Sequence, residues 1–376
     1  LVEAEGFVAG LQALIWDARS EYPDVLNALR RFNVYQEVVM ALAYRALCAV
    51  GVGAFVDSWV FFRYTILALN GAGHSALALL ASDISGNAFA GVACFAISFL
   101  NRFQISRLGN FSSSNLRELW GMPLLWMQTL CLWWLLQGGS GSRRLWAAFC
   151  ALTFVFIVVW QFSPFLLLLQ ATALYFVYLV CGYRHLRPVV VRVVDVYLAA
   201  MALAVLVHFG SPYLMTSPFL FQLLALRVAL TAFCWRAPPA ADQGAARALT
   251  SWLMGRLLDV AEGLVAVAVF LAIRKAAEPF ATADTHVYEI LCTKVATFND
   301  MLPASVRLPE HRLPACAEPS FNARLYLIMG VFNIIERASL QIYYDSSAGP
   351  AALLACLLIV ARCVAGSLTG APLDVA

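Results

Sequence analysis

Long apolar runs separated by short polar corners constrain this chain more than any other feature. A helix needs roughly 20 mostly apolar residues to cross the hydrocarbon core of a bilayer. Runs of about this length occupy 59–81, 85–101, 118–136, 145–161, 163–182, 190–209, 213–235, 257–274, 323–342 and 349–368. Because backbone in lipid must satisfy its own hydrogen bonds, these runs predict about ten helical spans. Hydrophobic residues make up 62% and charged residues 12% of the 376 residues, against about 45–50% and 25% in soluble domains. We therefore expect an all-α polytopic membrane protein.

The N-terminal 57 residues differ from the rest. Charged residues interrupt every apolar run there, and the apolar positions recur every three or four residues, the spacing of an amphipathic helix at a membrane surface. Pro23 is expected to start the second of these helices. This predicts four regions, namely a lumenal amphipathic segment with the first loop at 1–57, a bundle of spans at 58–274, a long lumenal loop at 275–322, and further spans at 323–376.

Arginine in the short loops indicates the topology. Basic residues mark the cytosolic side of a membrane protein, which places the arginine-bearing loops 137–144, 183–189 and 236–256 there. The N-terminal segment and the polar stretches 102–117, 161–164, 208–217 and 275–322 then share the lumenal side. Arg102, Arg107 and Arg117 break the charge rule in one of those stretches, and recognition of a phosphate would explain an arginine cluster in such a place.

Spacing alone reveals no nucleophilic triad and no phosphate-cradling glycine loop. Asp284 and His286 form a two-ligand pair, which is weak as a metal site, and Cys292 and Cys316 share one polar loop in which they could form a disulfide. The scattered basic residues show no nucleic-acid footprint. These features fit a transporter or an enzyme with a lipid-linked substrate, and do not choose between them.

Residues 27–45 resemble the signature of the tryptophan C-mannosyltransferases, the dumpy-19 family, which reads asparagine, RFN-x-Y-x-EV and then YR. Further patches follow in the order of that family: Ser82-Asp83, Cys94-Phe95-Ala96, Ser106-Arg107, Leu116-Arg117-Glu118, Trp160-Gln161-Phe162 with Phe165 and Gln170, Asp284-Thr285-His286-Val287 with Lys294, and Cys316-Ala317-Glu318. Three places depart from the family pattern, since Ala283 replaces the first Asp of its DDAH, residues 109–115 replace its Trp-Thr-Pro-Pro, and the region between Lys294 and Cys316 is longer.

The resemblance implies a multi-spanning bundle of the GT-C glycosyltransferase type in the endoplasmic-reticulum membrane, with its active side in the lumen. It implies transfer of mannose, with inversion, from dolichyl-phosphate-mannose to C2 of a tryptophan indole in W-x-x-W or W-x-x-C segments of secretory proteins. No cofactor or metal is expected. Another lumenal dolichyl-phosphate-mannose-dependent mannosyltransferase and a polytopic transporter remain alternatives.

The same resemblance implies roles for individual residues. Arg107 and Arg117 would bind the donor phosphate. The side chains expected to line the cavity are Trp160, Gln161, Asp284, His286, Asn33 and Glu37, the last two lying in a patch expected mainly to hold the first lumenal loop in place. The family's catalytic carboxylate falls before the position of Leu1. With no initiating Met in the sequence, this predicts an internal fragment that is itself inactive.

Overall fold

The computed structural model describes residues 1–19, 23–51, 56–101, 117–138, 141–181, 186–235, 245–277 and 279. Within these ranges the structure is helical, apart from an isolated antiparallel bridge between Asp17 and Leu26. The described helices are α1 (Phe7–Ile15), α2 (Ala28–Arg31), α3 (Tyr35–Ala49), α4 (Ser58–Ser85), α5 (Ala88–Asn101), α6 (Glu118–Leu136), α7 (Arg143–Val159), α8 (Ser163–Cys181), α9 (Arg187–Val207), α10 (Pro212–Met215), α11 (Pro218–Ala232) and α12 (Ala245–Ala277).

Five stretches of the described chain are long and apolar enough to cross a membrane. They are α4, α6, α8 as far as Val180, α9, and the 21 residues of α10 and α11 together. The sequence prediction of an all-α polytopic membrane protein is thus confirmed, and five of its ten spans are supported by length and composition. Helices α5 and α7 are shorter, with 14 and 17 residues. The predicted spans 323–342 and 349–368 lie outside the described residues.

The expected helix start at Pro23 is wrong. The chain first forms the Asp17–Leu26 bridge, and α2 then begins after Asn27, whose side chain accepts hydrogen bonds from the backbone N–H groups of Leu29 and Arg30. An asparagine in this position satisfies N–H groups that have no partner inside the helix. The cap therefore decides where the helix starts.

After residue 210 the structure divides one predicted span into two helices and shortens one predicted loop. The span expected at 213–235 is interrupted between Met215 and Pro218, where the Ser217 side chain caps α11 and a proline occupies its first position. The segment 236–256 was expected to be a loop, but α12 already begins at Ala245. The span predicted at 257–274 lies within this 33-residue helix, which also carries Asp259 and Glu262.

Helices α4 and α6 run side by side in the same direction. Asn70 Nδ2 donates to Leu119 O at 2.9 Å near the start of α6, and Trp134 Nε1 donates to Asp83 Oδ2 at 2.7 Å near its end. Between these bonds Gly73 meets Pro123 so closely that an added Cβ would lie 2.5 Å from Pro123 Cα. With 28 residues α4 is about 42 Å long, so roughly its first ten residues, about 15 Å, extend past the start of α6.

A closed amide network holds the middle of the bundle together. Gln128 of α6 and Gln170 of α8 exchange hydrogen bonds of 3.0 Å in both directions. The Tyr197 hydroxyl of α9 donates to Gln170 Oε1 at 2.7 Å and accepts from Gln128 Nε2 at 3.2 Å. Polar groups in a membrane interior are stable when they satisfy one another in this way, and the network fixes three spans in register.

A second polar cluster lies at one end of the bundle. This end carries the first turn of α9 and the last turn of α11. The fully buried carboxylate of Glu262 in α12 lies 3.5 Å from Arg187 Nη1 and accepts a bond of 3.4 Å from the Tyr175 hydroxyl. The Arg187 guanidinium also donates to Tyr178 Oη and to the backbone O of Leu230. These contacts fasten α12 to α8, α9 and α11.

Candidate functional site

The segment between α2 and α3 attaches to the C-terminal ends of α7 and α9. Asn33 Nδ2 donates to Ile157 O at 3.2 Å and to Val158 O at 2.8 Å in the last turn of α7. The Tyr35 hydroxyl donates to Val207 O, the last residue of α9. The final carbonyls of a helix have no partner within it, so these two side chains supply donors that both helix ends lack. The contacts are those expected of a patch that holds the first loop in place.

His208 strengthens the same attachment from the opposite direction. It follows the last residue of α9, and its Nδ1 lies 3.0 Å from Leu29 O in α2. Because a carbonyl can only accept, Nδ1 carries the proton and the neutral ring keeps Nε2 as an acceptor. The Tyr35 ring packs edge-on against the imidazole at a centroid distance of 5.0 Å. Burial lowers the pKa of His208, although the bond to Leu29 O partly counters the effect.

Glu37 and Arg117 meet beside this attachment. Glu37 lies in the first turn of α3, and its Oε1 is 3.7 Å from Nη2 of Arg117, the residue that precedes α6. A fully formed arginine–carboxylate pair has N–O distances of about 2.7–2.9 Å, so this pair is loose. Burial raises the pKa of the Glu37 carboxyl, with Arg117 and the Gln36 carboxamide acting in the opposite sense. The site thus contains a half-buried carboxylate and guanidinium that satisfy each other only in part.

Trp160 lies across the first turn of α6. A Cβ added to Gly121 would come within 2.6 Å of Trp160 Cε3, so only a glycine allows the ring to lie this close to the helix backbone. Phe156 and Phe162 flank the indole at centroid distances of 6.0 and 6.2 Å. The next residue, Gln161, is half-buried, and its backbone O accepts a hydrogen bond from the Tyr213 hydroxyl of α10. The Trp160 corner is thereby fixed one turn of helix from Arg117.

Buried polar atoms without a hydrogen-bond partner gather at this end of the bundle. In the described part of the chain they include Gln36 Oε1, Glu37 Oε2, Arg117 Nη1, Ser163 Oγ and His208 Nε2. Each such group costs about 1–3 kcal/mol when it is left unsatisfied. Several orphaned groups in one place indicate a surface that is completed by something other than the helices around it.

The structure brings together five of the residues that the sequence indicated: Asn33, Glu37, Arg117, Trp160 and Gln161. Arg107, Asp284 and His286 lie outside the described residues, as do Cys292 and Cys316. Sequence reasoning missed the roles of Gln36 and His208. A histidine directly after an apolar run was the only available signal for His208, and nothing in the local sequence distinguishes Gln36 from other polar residues of an amphipathic helix.

Comparison with known proteins identifies a matching family and individual relatives. A family model described as "Dpy19: Q-cell neuroblast polarisation" matches residues 1–304. A Mus musculus protein named "Protein C-mannosyl-transferase DPY19L1" is 27% identical over 250 residues, which is 60% of this chain and 33% of the mouse protein. The Homo sapiens protein of the same name is 27% identical over 250 residues, again 60% of this chain and 36% of its own length. The chain therefore spans about a third of the length of the curated relatives that it matches.

Proposed function

Because this chain belongs to the Dpy19 family, we propose that it forms part of a protein C-mannosyltransferase. In this proposal the donor is dolichyl-phosphate-mannose, and the acceptor is a tryptophan in a W-x-x-W or W-x-x-C segment of a secretory protein. The site would face the lumen of the endoplasmic reticulum. The observation that carries the proposal is the half-buried Arg117, whose Nη1 has no partner among the described residues, next to the aromatic corner of Trp160 at one end of a membrane-spanning bundle.

The reaction has three steps, which are the departure of dolichyl phosphate, the attack of the indole and the loss of a proton. The bond between mannose C1 and the phosphate oxygen breaks, and both electrons leave with dolichyl phosphate. Arg117 and Arg107 would stabilise the charge that grows on this phosphate, since a guanidinium offers paired donors and a permanent charge. Indole C2 attacks C1 from the opposite face, which gives inversion at the sugar. A carboxylate then takes the C2 proton as general base and restores the aromatic ring.

The middle of the bundle favours this proposal over a transporter. A transport path would need polar groups in the spans that remain free to meet a solute. The donors and acceptors of Gln128, Gln170 and Tyr197 are instead used on one another. The unsatisfied polar atoms of Gln36, Glu37, Arg117, Ser163 and His208 lie at one end of the described bundle, where a lipid-linked sugar and a polypeptide can both arrive.

The test is transfer by the purified full-length protein. It is incubated with dolichyl-phosphate-mannose and a W-x-x-W peptide, and mass spectrometry identifies a hexose bound to tryptophan through carbon. Arg117→Ala and Arg107→Ala are each expected to lower the rate about 100-fold or more, the usual effect of removing a donor that stabilises developing charge. Arg144→Ala, at an exposed position in the first turn of α7 at the other end of the bundle, is the control and should retain full activity.

Two results would count against the proposal. If the wild-type protein makes no carbon-linked product, the donor or the reaction is wrong. If the rate of Arg117→Ala stays within about threefold of wild type, a loss below about 0.7 kcal/mol of transition-state stabilisation, Arg117 does not hold the phosphate.

Chelation with EDTA is expected to leave the rate unchanged, because the proposed reaction draws on no metal ion.

A further inference from the structure

Gln36 is an unusual residue to find buried at the start of α3. Its side chain is only 4% exposed, yet its Oε1 has no hydrogen-bond partner among the described residues. The neighbouring Glu37 Oε2 and the facing Arg117 Nη1 are orphaned in the same way. A fold that leaves polar atoms of Gln36, Glu37 and Arg117 unsatisfied gives up several kcal/mol, unless a ligand supplies the missing partners.

The chemistry of the three atoms specifies the ligand. Gln36 Oε1 and Glu37 Oε2 are acceptors and require hydroxyl or N–H donors, whereas Arg117 Nη1 is a donor and requires an acceptor. Hydroxyls next to an anionic oxygen are the surface of a glycosyl phosphate. An indole ring offers a single N–H donor, so the ring of the acceptor tryptophan cannot satisfy both oxygens by itself.

The loose ion pair adds a second argument. Glu37 Oε1 stays 3.7 Å from Arg117 Nη2 although the two side chains face each other. The Glu37 carboxylate therefore lies beside Arg117, where it would compete with a phosphate oxygen for the guanidinium. A phosphate on Arg117 would displace it and leave both carboxylate oxygens free to accept.

The local structure fixes where these oxygens can lie. Asn33 and Tyr35, the bonding residues of the attachment, flank the start of α3 and tie it to the ends of α7 and α9. Gln36 and Glu37 follow within the first turn of that helix. Acceptors held by a rigid support discriminate between ligands better than acceptors on a free loop, because less ordering is needed on binding.

We propose that Gln36 and Glu37 determine the sugar specificity of the site by accepting hydrogen bonds from hydroxyls of the donor sugar. When no phosphate is bound, Glu37 would instead pair with Arg117, so that phosphate binding makes its carboxylate available to the sugar. This inference rests on the proposed function. It adds two specificity residues and a reason for the loose contact between Glu37 and Arg117.

The experiment compares two lipids that differ only by the sugar. Dissociation constants for dolichyl phosphate and dolichyl-phosphate-mannose are measured on the purified full-length protein, and their ratio gives the preference for the sugar. Gln36→Leu, which keeps the size but removes the acceptor, should lower this preference about tenfold and leave the affinity for dolichyl phosphate unchanged. Gln12→Leu, at an exposed position of α1, is the matched control and should alter neither constant.

Glu37→Ala provides the sharper test, because it should change the two quantities in opposite directions. The preference for the sugar should fall about tenfold or more, since a charged acceptor is lost. The affinity for dolichyl phosphate alone should rise, since the competing carboxylate has left Arg117. A purely structural defect would weaken binding of both lipids. Glu5→Ala, at an exposed position before α1, is the control.

The outcomes separate this inference from the proposed function. If wild-type protein does not bind dolichyl-phosphate-mannose, the proposed donor fails. If wild-type protein prefers the mannosyl lipid and both variants keep that preference, the donor stands and the role of Gln36 and Glu37 is refuted. The role is also refuted if Glu37→Ala weakens the binding of both lipids equally. Gln36→Met and Glu37→Gln repeat the measurement if the first variants do not fold.

Discussion

At the scale of single residues, the N-terminal segment is held to the bundle by a small number of side chain to backbone hydrogen bonds. Asn33, Tyr35 and His208 each bond to a carbonyl far away in the sequence. The carbonyls of Val158 and Val207 lie in the last turns of α7 and α9, where the helix supplies no donor, and the carbonyl of Leu29 lies in the short helix α2. The position of Glu37 beside Arg117 depends on these bonds, because Glu37 lies four residues after Asn33.

Asn33→Asp tests the attachment with almost no change of shape. The substitution replaces a donor by a carboxylate oxygen next to Ile157 O and Val158 O, so we expect a loss of about 1–3 kcal/mol in the free energy of unfolding. Asn87→Asp is the matched control, since Asn87 uses its Oδ1 to accept from Phe89 N and aspartate can do the same. Thermal unfolding in detergent should show a lower midpoint for Asn33→Asp alone. Equal midpoints for the two variants would contradict the assignment.

His208 should make the stability of the protein depend on pH. Its pKa in the folded protein is below the ordinary value of 6.5 because burial disfavours the imidazolium. Above that value the ring is neutral in both states and contributes no pH dependence. As the pH falls below 6.5 the unfolded chain takes up a proton that the folded chain resists, so the free energy of unfolding should decrease.

The measurement compares unfolding midpoints of wild type and His208→Asn between about pH 8 and pH 5. Asparagine can still donate to Leu29 O but does not titrate in this range. The wild-type midpoint should drop more steeply on acidification than that of the variant. Parallel curves would show that another group is responsible.

At the scale of elements, the bundle is built on close approaches that depend on glycine. Gly73 and Pro123 bring α4 and α6 together, and Gly121 accommodates the ring of Trp160. Small residues at helix contacts allow the backbones in a membrane to approach closely, where van der Waals packing replaces the hydrophobic effect. The position of the Trp160 corner relative to Arg117 follows from these contacts.

Two glycines on opposite faces of α4, one buried and one exposed, provide a controlled test. Gly73→Ala would place a Cβ 2.5 Å from Pro123 Cα, and overpacking of this kind typically costs about 1–3 kcal/mol. Gly71→Ala meets no atom within 4 Å and should be neutral or slightly stabilising, since alanine is the better helix former. Unfolding midpoints that fall for both variants, or for neither, would contradict the close approach.

The sequence predicted elements well and their connections poorly. Lengths of apolar runs located α4, α6, α8 and α9 to within a few residues, because a span has a fixed length in a bilayer. The break before Pro218 depends on the Ser217 cap, and α12 starts at Ala245, ahead of its apolar run, so the lengths of apolar runs reveal neither. Family patches indicated Asn33 and Arg117, but the pairing of His208 with Leu29 O joins positions 179 residues apart and has no local signature.

At the scale of the whole molecule, the two ends of the bundle differ in chemistry. One end joins the N-terminal segment to Trp160, Gln161 and His208 and has unsatisfied polar atoms. The other end, with Arg187 and Glu262, is closed by its own ion pair and hydrogen bonds. Within the described residues, the C-terminal ends of α7 and α9 lie at the first end, and the start of α9 and the end of α11 lie at the second. Which end faces the lumen remains a prediction.

Two native cysteines can report the orientation. Cys48 at the end of α3 and Cys234 after α11 are exposed, and they belong to opposite ends in the predicted topology. In a background in which all other cysteines are replaced, a membrane-impermeant maleimide applied to sealed microsomes should label Cys234 directly. It should label Cys48 only after permeabilisation. The reverse pattern would overturn the predicted orientation.

The distance in sequence between the partners of the attachment has a consequence for biosynthesis. Ile157, the partner of Asn33, is synthesised 124 residues later, and His208, the partner of Leu29, is synthesised 179 residues later. At a synthesis rate of about 5–20 residues per second, this delay lasts roughly 6 to 36 seconds. During that time the segment that carries Gln36 and Glu37 has left the ribosome but has no helix ends to bind. The nascent chain therefore exposes its amphipathic N-terminal segment first. That segment can attach to the bundle only after α7 and α9 have been made.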